Sequence, residues 1–140
     1  MSKETMKAIT VYGPCDARME TVPKLLATGD MIVAKVCRTG VCATDQSIYT
    51  GESSFIRSGE IKYPCRFGHE WAGIVESVGP DVKDFKVGDR VYADNFVTCG
   101  VCEACKRKDY MSCPSTWSVG TVNAWDGCYA EYMQMPERHV

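Results

Sequence analysis

The sequence predicts a mainly β domain with short helices, built as a partly open β-barrel, and three observations carry that reading. Short runs of β-forming residues recur between turns marked by Gly, Pro and Asp. Helical periodicity is almost absent. No Gly-x-Gly-x-x-Gly opens a helix after a strand, so these residues hold no dinucleotide-binding unit of that kind. Turn-punctuated strands without internal repeats or low-complexity tracts suit curled sheets better than alternating βα layers.

Taken in order, residues 7–12 form a first strand, with Ile9, Val11 and Tyr12 ended by Gly13-Pro14. A short second strand over 19–22 stops at Pro23, and a clear third over 31–37 follows the Gly29-Asp30 turn. Residues 40–47 lead into a short helix through Tyr49 that Gly51 ends, and 51–64, rich in Ser, Gly and charge, suit an exposed loop. The longest apolar run, 71–78, predicts a central strand, followed by turns at Gly79-Pro80-Asp81 and Val87-Gly88-Asp89 and a strand over 90–93. A cysteine-rich loop comes next, then a Gly-bearing aromatic stretch over 117–127. A last strand over 129–135 stops at Pro136, which leaves His139 in a frayed end.

Composition bounds the rest. At 140 residues, 45% hydrophobic and 24% charged, the chain suits one domain over 1–140 with a core of its own. A net charge of −2 gives no general attraction for nucleic acid or an anionic membrane. The charged start, Met1 to Lys7, lacks the apolar core of a signal peptide, and no apolar run reaches the roughly 20 residues that span a bilayer. Nine cysteines without a signal peptide imply a reducing compartment, the cytoplasm. Cys15 and Cys37 have no metal-like spacing and read as packed or idle thiols, and so does Cys65, although its place four residues before His69 also allows a position near a metal there.

Cys99, Cys102, Cys105 and Cys113 fall within fifteen residues as Cys-x2-Cys-x2-Cys plus a fourth. Such a loop supplies four thiolates to a tetrahedral zinc, and a closed site of that kind organises a lobe, about 94–116, without doing chemistry. Free or disulfide-paired thiols are the alternative. Lys106-Arg107-Lys108 within the loop reads as a solvated tip. Cys42, His69 and Glu70 are a second suggestive set, since a catalytic zinc takes three protein ligands and keeps a fourth position open. On spacing alone, with 27 residues between Cys42 and His69, a buried cysteine and a hydrogen-bonded histidine are the simpler reading.

Four stretches in order change that weight: Gly40-Val-Cys42-Ala-Thr44-Asp45, Gly68-His69-Glu70-Trp-Ala-Gly73, Val87-Gly-Asp89-Arg-Val91 and the four-cysteine loop. Together they resemble the GroES-like catalytic domain of the zinc-dependent medium-chain alcohol and polyol dehydrogenases, from about residue 7 to the end. The resemblance implies Cys42, His69 and Glu70 as ligands of a catalytic zinc, with Glu70 a ligand in the polyol branch and behind the metal in others. It implies Thr44 as the residue that hydrogen-bonds the substrate hydroxyl and begins proton removal. Asp45 would fix the His69 tautomer, and the four cysteines would hold a structural zinc. It further implies NAD or NADP, an alcohol or polyol substrate and a homo-oligomer for a full-length enzyme.

Two departures stand out. Ser47 occupies the place of a histidine that relays protons in many relatives, and Cys128 stands where glycine is common. Relatives also continue into a nicotinamide-binding Rossmann domain, so the 140 residues are expected to lack turnover alone. The rival readings are a non-enzymatic zinc module for a partner or nucleic acid, and a truncated scaffold.

Overall fold

A computed structural model describes residues 4–122 and 125–140, so the 117–127 stretch and the charged start fall partly outside the described residues. Among these residues lie eight strands and three short helices. The strands are β1 (Thr5–Gly13), β2 (Asp16–Pro23), β3 (Met31–Thr39), β4 (Trp71–Val78), β5 (Arg90–Tyr92), β6 (Phe96–Thr98), β7 (Thr116–Ser118) and β8 (Tyr132–Pro136). The helices are α1 (Ala43–Thr50), α2 (Ser54–Arg57) and α3 (Glu103–Lys106). None is long and apolar enough to cross a membrane.

Three antiparallel sheets result: the β1-β2 hairpin, a four-stranded sheet ordered β5-β4-β3-β8, and the β6-β7 pair. Bridges at Ala8↔Ala130 and Val11↔Cys65 fasten the hairpin to the segments entering β8 and β4. The sheets thus curl around one interior without any of them closing, which is the partly open barrel.

Period-two alternation sets the inner face. Along β4, Trp71, Gly73 and Val75 are buried while Ala72 and Ile74 are exposed. Trp71 and Val75 join Ile32 and Ala34 of β3, Val91, Val97, Val119, Met133 and Met135 in the main core. Each large side chain buried there contributes roughly 1.5–3 kcal/mol. A Cβ on Gly73 would lie 2.3 Å from the Lys35 carbonyl, so only glycine lets β3 and β4 approach this closely. The register runs from Ile32↔Val78 to Thr39↔Trp71, with irregularities at Val33/Ala34 and Val36/Arg38. That register decides where the chemistry falls. It lays the end of β3 beside the start of β4, and the Gly40 N–H donates to the Glu70 carbonyl at 2.8 Å.

Four expectations need correction. The 51–64 loop contains α2, whose Ser53 hydroxyl accepts the Phe55 N–H as a cap. β6, absent from the sequence reading, pairs with β7 and forms the base of the cysteine lobe. The last strand starts at Tyr132, because residues 129–131 turn towards β1: the Ile9 N–H donates to the Tyr129 carbonyl and the Glu131 N–H to Lys7. His139 is not frayed. It is 2% exposed, its Nε2 accepting from the Thr98 N–H at 3.2 Å and its Nδ1 facing Asp94 Oδ2 at 3.1 Å.

Candidate metal centres and the cleft beside them

The cysteine lobe is self-assembled from local chain. Cys102 caps α3 and accepts the Cys105 N–H, while Cys99 Sγ accepts the Cys102 N–H at 3.4 Å and Cys113 Sγ accepts the Cys99 N–H at 3.5 Å. The Cys99–Cys113 and Cys99–Cys105 sulfurs are 3.6 and 3.9 Å apart. A tetrahedron with Zn–S of 2.3 Å has edges of about 3.8 Å, whereas a disulfide needs about 2.05 Å. The four ligand atoms all lie within 4.8 Å of one another, so one ion can bridge them. Electrostatics agree with a thiolate site. N–H groups of Val101 and Cys102 pull the Cys99 thiol down to about 6, and the Thr98 side chain pulls Cys105 down. Cys102, although it accepts the Cys105 N–H, is pushed up to about 11 by burial and its neighbouring sulfurs.

The second set is assembled from distant chain. Cys42 is the N-cap of α1, and Gly51, with φ of 81°, ends that helix in the left-handed region. At the third helical position Asp45 reaches back, its Oδ2 accepting the Cys42 N–H at 2.9 Å. Gly68 presents His69: its φ of +96° favours glycine, and a Cβ there would meet Cys128 Sγ at 2.9 Å. Cys42, His69 and Glu70 then bring one ligand atom each within 4.8 Å of the others. Glu70 is the exposed member, its carboxylate lying over Gly40.

Behind this set, Asp45 is 1% exposed. Its Oδ1 faces His69 Nδ1 at 3.6 Å, and both buried atoms lack a hydrogen-bond partner. Two orphaned polar atoms facing each other across a slightly long gap fit a ring that tightens onto the carboxylate when its other nitrogen is engaged. Cysteine, histidine and carboxylate donors are those of an open zinc site. The residues present fit the metal.

Sequence reasoning missed Tyr129, whose hydroxyl lies 3.0 Å from both Asp45 Oδ2 and the Gly40 carbonyl. Its stretch, Tyr129-Ala-Glu-Tyr-Met-Gln-Met, held no signal that set it apart from Tyr132, beyond the general rule that a buried phenol seeks a polar partner. Burial, then the Asp45 charge, raises its pKa, so the hydroxyl keeps its proton. Cys128, fully buried with Sγ 3.6 Å from the Glu70 carbonyl, is pushed up to about 12 by burial and is an inert thiol. Cys15 and Cys37 are exposed, and Cys65 pairs by backbone with Val11.

Thr44 and His69 open onto a cleft of about 410 Å³. Its far wall belongs to the lobe and its base, with Asn95, Phe96, Tyr110 and Met111, and of the candidate ligands His69 alone lines it. Thr44 Oγ1 lies 3.7 Å from Cys42 Sγ, and Ser47 spends its hydroxyl on the Thr44 carbonyl at 2.8 Å.

Comparison with known proteins gives consistent matches. Residues 28–140 match the alcohol dehydrogenase GroES-like domain. Sorbitol dehydrogenase of Bacillus subtilis is 36% identical over 98% of this chain and 38% of that protein. L-threonine 3-dehydrogenase of Cronobacter sakazakii is 36% identical over 94% of this chain and 38% of its own length. Among solved structures, a short chain alcohol dehydrogenase from Escherichia coli CFT073 complexed with cofactor NADH superposes with a TM-score of 0.78 at 30% identity, covering 96% of this chain and 37% of that one. Galactitol-1-phosphate dehydrogenase from Escherichia coli gives 0.78 at 26%, over 96% and 37%. The chain therefore spans about two-fifths of the length of the relatives it matches.

Proposed function

Because the chain belongs to the alcohol dehydrogenase GroES-like domain family, we propose that it is the zinc-binding catalytic domain of an NAD- or NADP-dependent alcohol dehydrogenase acting on a polyol or sugar alcohol. The observation that carries this is the convergence of Cys42, His69 and Glu70 on one point beside a cleft, with a buried carboxylate behind the histidine. Cys42, His69 and Glu70 would hold the catalytic zinc. Cys99, Cys102, Cys105 and Cys113 would hold a structural one in the lobe at about 94–116.

Zinc, when bound, supplies Lewis-acid polarisation that lowers the pKa of a substrate hydroxyl. The protein's own part is positional. Asp45 Oδ1, facing His69 Nδ1 at 3.6 Å, would accept that N–H as the ring tightens, leaving Nε2 with its lone pair on the ligand side. Thr44 Oγ1 sits at the cleft wall beside Cys42, where it accepts the substrate hydroxyl's hydrogen bond and hands a proton outward. Ser47 does not extend that path, its hydroxyl being committed to the Thr44 carbonyl, so the relay either ends there or continues through water. Polar side chains at the cleft, Asn95 and Ser118, favour a substrate with several hydroxyls. A nicotinamide would accept the hydride. These 140 residues carry no Gly-x-Gly-x-x-Gly unit to bind it, so turnover by them alone is not expected.

Native mass spectrometry of the chain and of His69→Ala tests the reading. Two zincs in the parent and one in the variant are expected. One zinc in both would leave only a cysteine lobe and sink the catalytic reading. For the full-length enzyme, a substrate screen in which primary aliphatic alcohols outperform polyols would remove the polyol assignment.

A further inference from the structure

Tyr129 stands outside the ligand set, yet its hydroxyl reaches the one carboxylate that orients His69. Oδ2 of Asp45 accepts from the Cys42 N–H at 2.9 Å and lies 3.0 Å from the Tyr129 hydroxyl. The single phenol proton faces both that oxygen and the Gly40 carbonyl, and when donated to Oδ2 it joins the Cys42 N–H on the same atom. The other oxygen, Oδ1, is left without a hydrogen bond and faces His69 Nδ1. A buried carboxylate free to rotate would instead share its donors between both oxygens.

We propose that Tyr129 is a positioning residue for the Cys42–His69–Glu70 site, clamping Asp45 through Oδ2 so that Oδ1 holds the His69 ring in its Nδ1-protonated tautomer. The inference rests on the zinc reading given above. The phenol is firmly braced, because its ring packs edge-on against Phe67 with centroids 4.9 Å apart. Its backbone carbonyl is fastened to β1 through the Ile9 N–H at 2.8 Å. The hydroxyl also lies 3.0 Å from the Gly40 carbonyl, in the turn against which the Glu70 carboxylate rests. One hydroxyl thus borders the supports of two ligands, and phenylalanine at 129 would keep the packing while removing only the clamp.

The test is zinc competition against a chromophoric chelator for the parent, Tyr129→Phe, Asp45→Asn and the double variant, with the four-cysteine site as reference within the same molecule. Loss of an outer partner to a metal ligand costs roughly 10–100-fold in affinity, and one removed by a further bond should cost less. Tyr129→Phe is expected to weaken the open site about three- to tenfold and leave the cysteine site unchanged. It should add little on an Asp45→Asn background, as expected if it acts through that carboxylate. In the metal-free chain, imidazole nitrogen NMR should show His69 moving towards mixed tautomers while the other histidine, His139, stays put.

Equal zinc affinity in parent and Tyr129→Phe, with an unmoved His69 signal, overturns the proposal. So does equal weakening of both metal sites, which would make Tyr129 a packing residue only. A parent that takes up a single zinc removes the catalytic-zinc reading itself, and this inference with it. A parent with two zincs and an indifferent Tyr129→Phe removes only the inference.

Discussion

The two sulfur-bearing centres of this chain are built on opposite plans. The cysteine lobe draws four like donors from fifteen consecutive residues, and its own backbone N–H groups point at its sulfurs. The Cys42–His69–Glu70 set draws three unlike donors from two segments that meet only because β3 and β4 pair in one register. The first is chelated by its loop and closed. The second is held by the fold, is open to a cleft, and keeps two orphaned buried atoms in reserve. Metal bound in the first would therefore support folding, whereas geometry in the second depends on folding elsewhere. Removing a ligand from each should have different consequences.

The largest effect should come from the closed site. Cys105 is buried within it, and its replacement by serine leaves three thiolates around a site that contributes folding free energy. Cys105→Ser is expected to lose one zinc and on the order of 4 kcal/mol of stability, with proteolysis concentrated between residues 99 and 113. Limited proteolysis and thermal unfolding with and without a chelator would check it. An unchanged melting temperature with one zinc missing would erase the distinction between the two plans.

Next in size is Asp45→Asn. Asparagine keeps the volume and an acceptor for the Cys42 N–H but loses the charge that favours the His69 Nδ1 proton. Affinity at the open site should fall about 10–100-fold, with the cysteine lobe untouched, as chelator competition would read directly. Parallel loss at both sites would mean that α1 had been damaged rather than the ligand.

How far each plan is legible follows from the same difference. The cysteine spacing is itself the geometry, so the lobe can be read from Cys99 to Cys113 without a fold. The open site cannot: nothing local to Cys42 says that it meets His69, and only the combined motifs of a family point there. Strands of period two, such as 71–78, are legible to the residue. β6 is not, being three residues long beside a cysteine loop with no alternation to detect, whereas the equally short β5 is marked by the Gly88-Asp89 turn before it. His139 escapes for a related reason. Its burial depends on Asp94 and Thr98, partners 45 and 41 residues away, which terminal position alone cannot reveal.

His139 also braces the closed plan, since it ties the base of the cysteine lobe to the end of the chain. Burial holds its imidazole below the usual 6.5, helped by the Arg138 charge and opposed by its bond to Asp94. The unfolded chain thus takes up a proton at higher pH than the folded one. Stability from the neutral ring is complete above about pH 6.5 and is lost as pH falls below it. Protonation would also turn Nε2 into a donor facing the Thr98 N–H. Thermal unfolding from pH 7.5 to 5 should show a loss that His139→Gln flattens, and an equally steep loss in the variant would assign it elsewhere.

The smallest expected effect separates the ligands of the open site from one another. A Cβ at Gly40 would sit 2.2 Å from Glu70 Oε2 and 3.0 Å from Glu70 Cβ, so Gly40→Ala must push that side chain aside. Glu70 is exposed and free to move, so the fold should absorb the change with a loss of about 1 kcal/mol or less. Cys42 and His69 are positioned by α1 and by Gly68, and neither depends on the space above Gly40. If Glu70 ligates the metal, zinc affinity at the open site should drop about threefold to tenfold, Glu70→Gln should weaken it at least as much, and Gly40→Ala should add nothing to Glu70→Gln. If Glu70 only stands behind the ion, Gly40→Ala should leave zinc affinity where it was, making the open site a two-ligand clamp completed by water or by protein beyond these residues.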